Sequence, residues 1–104
     1  MKGTDMNILD LAQGVKLHDH AIEDIAVDYK NGQITVQLLT PDLKPLELQI
    51  EDFSEFFIQN HAPWGRGHYI SWSDLQPIDG NHYQLDLELN SGDRIRIVFS
   101  GSQQ

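Results

Sequence analysis

The side chains best suited to ligate a metal or exchange protons near neutral pH are five histidines and sixteen acids. His18 and His20 stand two apart, so on a strand both rings would share a face, where His61, His68 or His82 could complete a set of nitrogen ligands for zinc. Against that reading, none of the acids is distinguished as a further ligand, and two histidines at this spacing arise readily by chance. The plainer expectation is a histidine at a sheet edge, hydrogen-bonded to a neighbouring carbonyl. We therefore expect no metal and no other cofactor. Paired carboxylates for general acid and base work need a concave site that perturbs their pKa values. Here the acids spread along what read as outward strand faces. Neither a Gly-x-Ser-x-Gly elbow nor a Ser-x-x-Lys pair occurs, and Gly65-Arg66-Gly67 is too short for a phosphate loop. With no cysteine in the chain, thiol catalysis, disulfides and cysteine-based zinc sites are excluded. The expectation is a protein that is not an enzyme and has no catalytic residues.

One stretch, residues 61–72, is unlike its neighbours in composition and holds both tryptophans. Tryptophan is enriched both at binding hot spots and as a plug in β-rich cores, and Trp64 fits the plug better. Pro63-Trp64-Gly65 is expected to lock a corner between the first three strands and the last three, since glycine allows close approach or positive φ there. Trp72 alternates with Ile70 and His68, while Tyr69 and Ser71 fall on the other face. One of the two faces must then present a large aromatic outward. Trp64, Arg66, His68, Tyr69 and Trp72 are accordingly one candidate contact surface.

The elements that must position these residues read mostly as strands. Ile25, Val27 and Tyr29 alternate with Asp24, Ala26 and Asp28, and Asn31-Gly32 predicts a two-residue type I′ turn. That turn sets Lys30 opposite Gln33, Tyr29 opposite Ile34, Val27 opposite Val36 and Ile25 opposite Leu38. Two prolines in residues 40–45 make the chain reverse before a third strand with Leu46, Leu48 and Ile50 inward. Glu47, Gln49 and Glu51 would then point to solvent beside Gln37 and Thr35. Asp24, Asp28, Glu47 and Glu51 become an acidic outer face, the second candidate surface. Residues 52–59 are ambiguous between helix and strand and are read as a short helical turn followed by extended chain. Tyr83, Leu85 and Leu87 alternate up to Asn90-Ser91-Gly92, a three-residue hairpin loop. The return strand pairs Leu87 with Ile95, Leu85 with Ile97 and Tyr83 with Phe99, and on the other face Glu88 with Arg94 and Asp86 with Arg96. At the start, Asp5 could cap a short helix over Met6 to Ala12 that Gly14 ends. The fold class is mainly β, an antiparallel meander forming a sandwich or an open barrel, with a short N-terminal helix.

A chain of 104 residues fits one domain, residues 1–104, with 1–4 and 100–104 loose. No apolar run approaches the roughly 20 residues that cross a bilayer, and no signal peptide is recognisable, so a cytoplasmic protein without membrane association is expected. The net charge of −9 comes from 16 acids against 7 bases. It repels phosphate backbones, which argues against nucleic acid, and favours encounter with basic surfaces.

Two motifs, Leu17-His18-Asp19-His20 and Pro63-Trp64-Gly65 leading into Tyr69-Ile70, resemble small bacterial β-rich proteins that open with a Leu-His-Asp strand and carry a central Pro-Trp-Gly. Some of these serve as immunity proteins of contact-dependent or polymorphic toxin systems. The resemblance spans roughly residues 17–100, with His20 where the pattern has serine. It implies neutralisation of a cognate toxin domain by tight binding; the excess of acids makes a basic toxin the expected partner, with buried aromatics supplying affinity and charge supplying association rate. Two other readings stand beside it: a domain that takes a small molecule or peptide in the open end of the β-structure, lined by Trp64 and Tyr69, and a homodimer built on the central loop.

Overall fold

Apolar residues at every second position commit one face of a strand to a core, and this chain repeats that pattern through most of its length. The computed structural model describes residues 4–13, 16–60 and 69–101. Among them, β1 (Thr4–Asn7), β2 (Ala21–Asp28), β3 (Gln33–Leu39) and β4 (Pro45–Glu51) form one sheet in the order β1-β4-β3-β2. A second sheet, in the order β5-β8-β7-β6, contains β5 (Phe53–Ile58), β6 (Ile70–Pro77), β7 (His82–Leu89) and β8 (Arg94–Ser100). The protein is mainly β and its sheets are antiparallel, except that the short β1 lies parallel along β4. It is not a closed barrel: the two sheets share one buried cluster drawn from both, including Ile34, Val36, Leu48 and Ile50 of the first and Leu85, Ile95, Ile97 and Phe99 of the second. Each such fully buried side chain contributes roughly 1.5–3 kcal/mol relative to exposure.

The expected N-terminal α-helix does not form. Residues 4–7 instead add to the edge of β4, and Ile8–Gln13 make a 3-10 helix. Seven residues are too few to repay α-helix nucleation, whereas β4 offers ladder partners along its free side. In a 3-10 turn positions three apart eclipse, and Ile8 and Leu11 accordingly enter the core together.

The first hairpin also departs from expectation. Its ladder ends at Asp28 opposite Gln33, leaving a four-residue loop, with Val27 opposite Ile34 and Ile25 opposite Val36. Of Asn31 and Gly32 only the glycine has positive φ, 67°. The Asp28 carboxylate accepts hydrogen bonds from the Asn31 backbone N–H (3.2 Å) and side-chain amide (2.8 Å), which holds the chain in the tighter local turn. A shift of two residues preserves the faces but ejects Tyr29 from the ladder, and it is 88% exposed. The hairpin of β3 and β4 pairs Val36 with Leu48 and, as expected, sets Glu47 beside Gln37, and every predicted pair of β7 with β8 is present.

Residues 53–58 are a strand, not a helical turn, and the reason explains three segments at once. β2 carries a bulge between Ile22 and Asp24, β5 between Phe53 and Glu55, and β6 between Ile70 and Trp72. An extra residue resets the alternation, so residues three apart face the same way. Phe53 lies opposite Phe99 and Phe56 opposite Ile97, both toward the core, which is why their spacing imitates a helix. All three bulges are on edge strands, where they also hinder pairing with another chain.

The passage between sheets is not at Pro63-Trp64-Gly65. It occurs between β4 and β5 at Asp52, whose φ of 56° turns the chain within one residue. The Phe53 N–H donates to the Gly32 carbonyl (3.1 Å) and the Ser100 N–H to that of Asp52 (3.1 Å), tying both sheets to this corner. Residues 61–68 connect β5 and β6, the two edges of the same sheet, and lie outside the described residues.

Candidate partner-binding surfaces

The ladder of the first sheet places the four proposed acids on its outer face. Asp24, Gln37 and Glu47 stand side by side across β2, β3 and β4, and Asp28, Gln33 and Glu51 form a second row four residues along. Each row has an amide between two carboxylates. Asp24 and Asp28 are exposed and Glu51 is half-buried. Glu47 departs from the solvent-facing position expected of it: it is buried, at 6% exposure. With β1 alongside, β4 is an interior strand, and the Glu47 carboxylate accepts hydrogen bonds from Gln37 Nε2 (2.9 Å) and Gln49 Nε2 (2.6 Å). These charge-assisted bonds offset the desolvation of the carboxylate. Asp28 likewise spends its carboxylate on the turn, so Asp24 and Glu51 are the acids this face best presents to a partner.

The other candidate surface is divided. Trp64, Arg66 and His68 lie outside the described residues. Tyr69 and Trp72 are 45% and 50% exposed. The β6 bulge separates Trp72 from the face of Ile70, which is buried, and turns the indole outward beside Glu88. Simple alternation had grouped Trp72 with Ile70.

The first motif meets Ile70, the residue into which the second leads, while Pro63-Trp64-Gly65 lies outside the described residues. Residues 17–20 form a turn in which Asp19 has φ 67° and the His20 N–H donates to the Leu17 carbonyl (3.0 Å). This turn is pinned to β6: the Asp19 N–H donates to the Ile70 carbonyl and the Ile70 N–H to that of His20, each at 2.8 Å. Beneath it, the buried Leu17 N–H donates to Ser73 Oγ (3.1 Å). His18 and His20 thus sit in a turn and not on one strand face. His18 Nδ1 lies 3.4 Å from Asp19 Oδ2, and His20 Nδ1 3.3 Å from the His18 carbonyl. No group of three or more potential metal ligands occurs among the described residues, and His61 lies outside them. Beside the turn a cleft of about 280 Å3 is lined by Asp19, Ala21, Glu23, Leu39, Pro41 and Tyr69, among others.

A further surface went unrecognised in the sequence, the outer face of the second sheet. Trp72, Glu88 and Arg94 form one row across β6, β7 and β8, and Asp74, Asp86, Arg96 and Phe57 form the next, reaching β5. Arg96 Nε donates to Asp86 Oδ1 at 2.9 Å, and Arg94 Nη2 lies 3.8 Å from Glu88 Oε1. The Asp86 carboxylate beside Arg96 raises the guanidinium's pKa above its ordinary value. Phe57, 52% exposed, joins Asp86, Arg94 and Arg96 around a shallow cleft of about 280 Å3. The charge pairs were legible from the hairpin register; the flanking aromatics depend on two bulges that alternation does not reveal.

No protein-family model matches the chain, and no curated protein or solved structure matches it. Among the described residues no helix is long and apolar enough to cross a membrane.

Proposed function

We propose that this protein acts by binding a basic protein partner through the outer face of its first sheet, in the manner of an immunity protein that neutralises a toxin domain in the cytoplasm. The observation that carries the reading is the pair of carboxylate, amide, carboxylate rows running Asp24, Gln37, Glu47 and Asp28, Gln33, Glu51. Such a face has flat, patterned acceptors held in place by a ladder, within a chain of net charge −9. Acidic surfaces of this kind speed association with basic partners and suppress acidic ones. The toxin itself enters from the resemblance of the Leu-His-Asp and Pro-Trp-Gly motifs. Tyr69, 45% exposed, would supply apolar contact.

A second reading, a small ligand or peptide bound beside Tyr69, draws on the cleft lined by Asp19 and Glu23. Its volume of about 280 Å3 is at the low end of ligand pockets, roughly 300–1,000 Å3, so the protein-binding reading is preferred.

The test is capture from the native host at low salt with the purified protein and with Asp24→Asn/Glu51→Gln, followed by identification and stoichiometry of what binds. One basic protein, held 1:1 by the wild type and more weakly by the variant, is the expected result. Capture of an acidic protein, or equal capture by both baits, would overturn the acidic-face reading.

A further inference from the structure

We infer that the outer face of the second sheet is a self-association surface, whose occupant is a second copy of this chain. Glu88 and Asp86 on β7 stand opposite Arg94 and Arg96 on β8, so two acids and two bases alternate at the centre of the face. At that centre an acidic or a basic partner would meet as many like charges as opposite ones, with Asp74 a further acid on the β6 edge. A second copy meets none of that conflict in one geometry. A two-fold axis lying between β7 and β8 and parallel to them lays β7 of one copy over β8 of the other, row for row. Glu88 then lies over Arg94 of the second copy and Asp86 over its Arg96, with the reverse pairs generated by symmetry. The exposure of the side chains suits this: Arg94 67%, Arg96 52% and Glu88 38% are accessible, while Asp86, at 19%, is reached through Arg96.

The same operation brings β6 over β5, the two outer strands. Trp72 and Phe57 sit on those strands at opposite edges and in adjacent rows, so each indole comes over the β5 edge of the other copy one row from its Phe57, which itself lies opposite Asp74. Strands are spaced by about 4.8 Å, which puts each aromatic strand roughly 7 Å from the axis. Sheet twist separates the corners but leaves the region near the axis aligned, as in face-to-face sheet packing at about −30°. Four strands by eight residues give a face of roughly 500 Å2, below the roughly 800 Å2 per partner of a stable complex. The dimer is therefore concentration-dependent, forming toward millimolar protein. This inference is independent of the acidic first-sheet face, which remains exposed in such a dimer.

The test is sedimentation of the purified chain from about 10 µM to about 1 mM, a range that spans weak to moderate affinities, with two variants checked for native β-structure by circular dichroism. Asp86→Arg/Glu88→Arg makes the centre wholly basic and Arg94→Glu/Arg96→Glu makes it wholly acidic. The wild type should dimerise on concentration, each variant should remain monomeric, and an equimolar mixture of the two should form a 1:1 complex. Should either variant not fold, dilution of the wild type monitored by NMR gives the answer: the Trp72 indole signal should move and the Asp24 amide should not. A wild type that stays monomeric at about 1 mM, variants that dimerise like the wild type, a mixture that does not associate, or dilution shifts centred on Asp24 would each overturn the inference.

Discussion

Removing the Ser73 hydroxyl tests how the 17–20 turn is fastened to the second sheet. Ser73 is 5% exposed and its Oγ accepts the N–H of Leu17, a residue with 0% exposure, across 56 positions of sequence. Ser73→Ala leaves that N–H without its protein acceptor in a site closed to bulk water, at a cost of about 1–3 kcal/mol. Only the hydroxyl oxygen is removed, so a cavity term adds little to the figure. With a urea m value of roughly 1–3 kcal/mol per molar, the unfolding midpoint should fall on the order of 1 M. Ser71→Ala is the matched control. Its exposed hydroxyl donates to the Glu88 carbonyl at 3.0 Å, and its loss should stay within about 0.5 kcal/mol. Native-state hydrogen exchange adds a local readout, because the Leu17 amide should lose protection in Ser73→Ala alone. Equal midpoints for the two variants, or unchanged protection at Leu17, would refute the reasoning.

Three further outcomes follow from local geometry. Glu47→Gln places a donor where the carboxylate accepts from Gln37 and Gln49, and should destabilise by about 1–3 kcal/mol in urea unfolding. Gly32→Ala should cost about 1–2 kcal/mol from its φ of 67° alone, since the new Cβ would meet nothing nearer than 3.8 Å, and Gly32→Asn should cost less. Asp79 is held below its ordinary carboxyl pKa first by the Asn81 backbone N–H (2.7 Å), then by the His82 ring (3.1 Å). A depressed folded value contributes stability that is present above the unfolded value of about 4 and lost as pH falls through the folded one. Stability below pH about 4 should therefore decline less in Asp79→Asn than in the wild type, and an NMR titration of Asp79 should show its midpoint below the unfolded value. The group is exposed, so the effect is small.

Hairpins with a clear turn and unbroken alternation were legible: the β7 to β8 register could be written down from Tyr83, Leu85 and Leu87 against Ile95, Ile97 and Phe99. Three features broke the pattern for physical reasons. Bulges at Glu23, Ser54 and Ser71 placed residues three apart on one face, which made Phe53 and Phe56 resemble a helix and grouped Trp72 with the face of Ile70. Asp28 captured Asn31 and displaced the expected turn by two residues. A parallel strand paired over 40 positions away, β1 on β4, cannot be seen in any local window, and it is what encloses Glu47. The acidic first-sheet face was readable because Asp24, Asp28, Glu47 and Glu51 keep period two on strands whose pairing parity held. The second-sheet face was not, because its aromatics come from edge strands whose alternation is interrupted.

Under the proposed function, charge on the first sheet steers a basic partner. The measurement that tests it most directly is the association rate of the captured partner as a function of ionic strength, for the wild type and for Asp24→Asn/Glu51→Gln. Steered association should fall by about tenfold or more as salt rises and the Debye length shrinks from roughly 30 Å to 8 Å, with a shallower slope for the variant. A wild-type rate indifferent to salt, or identical slopes for the two proteins, would contradict the account.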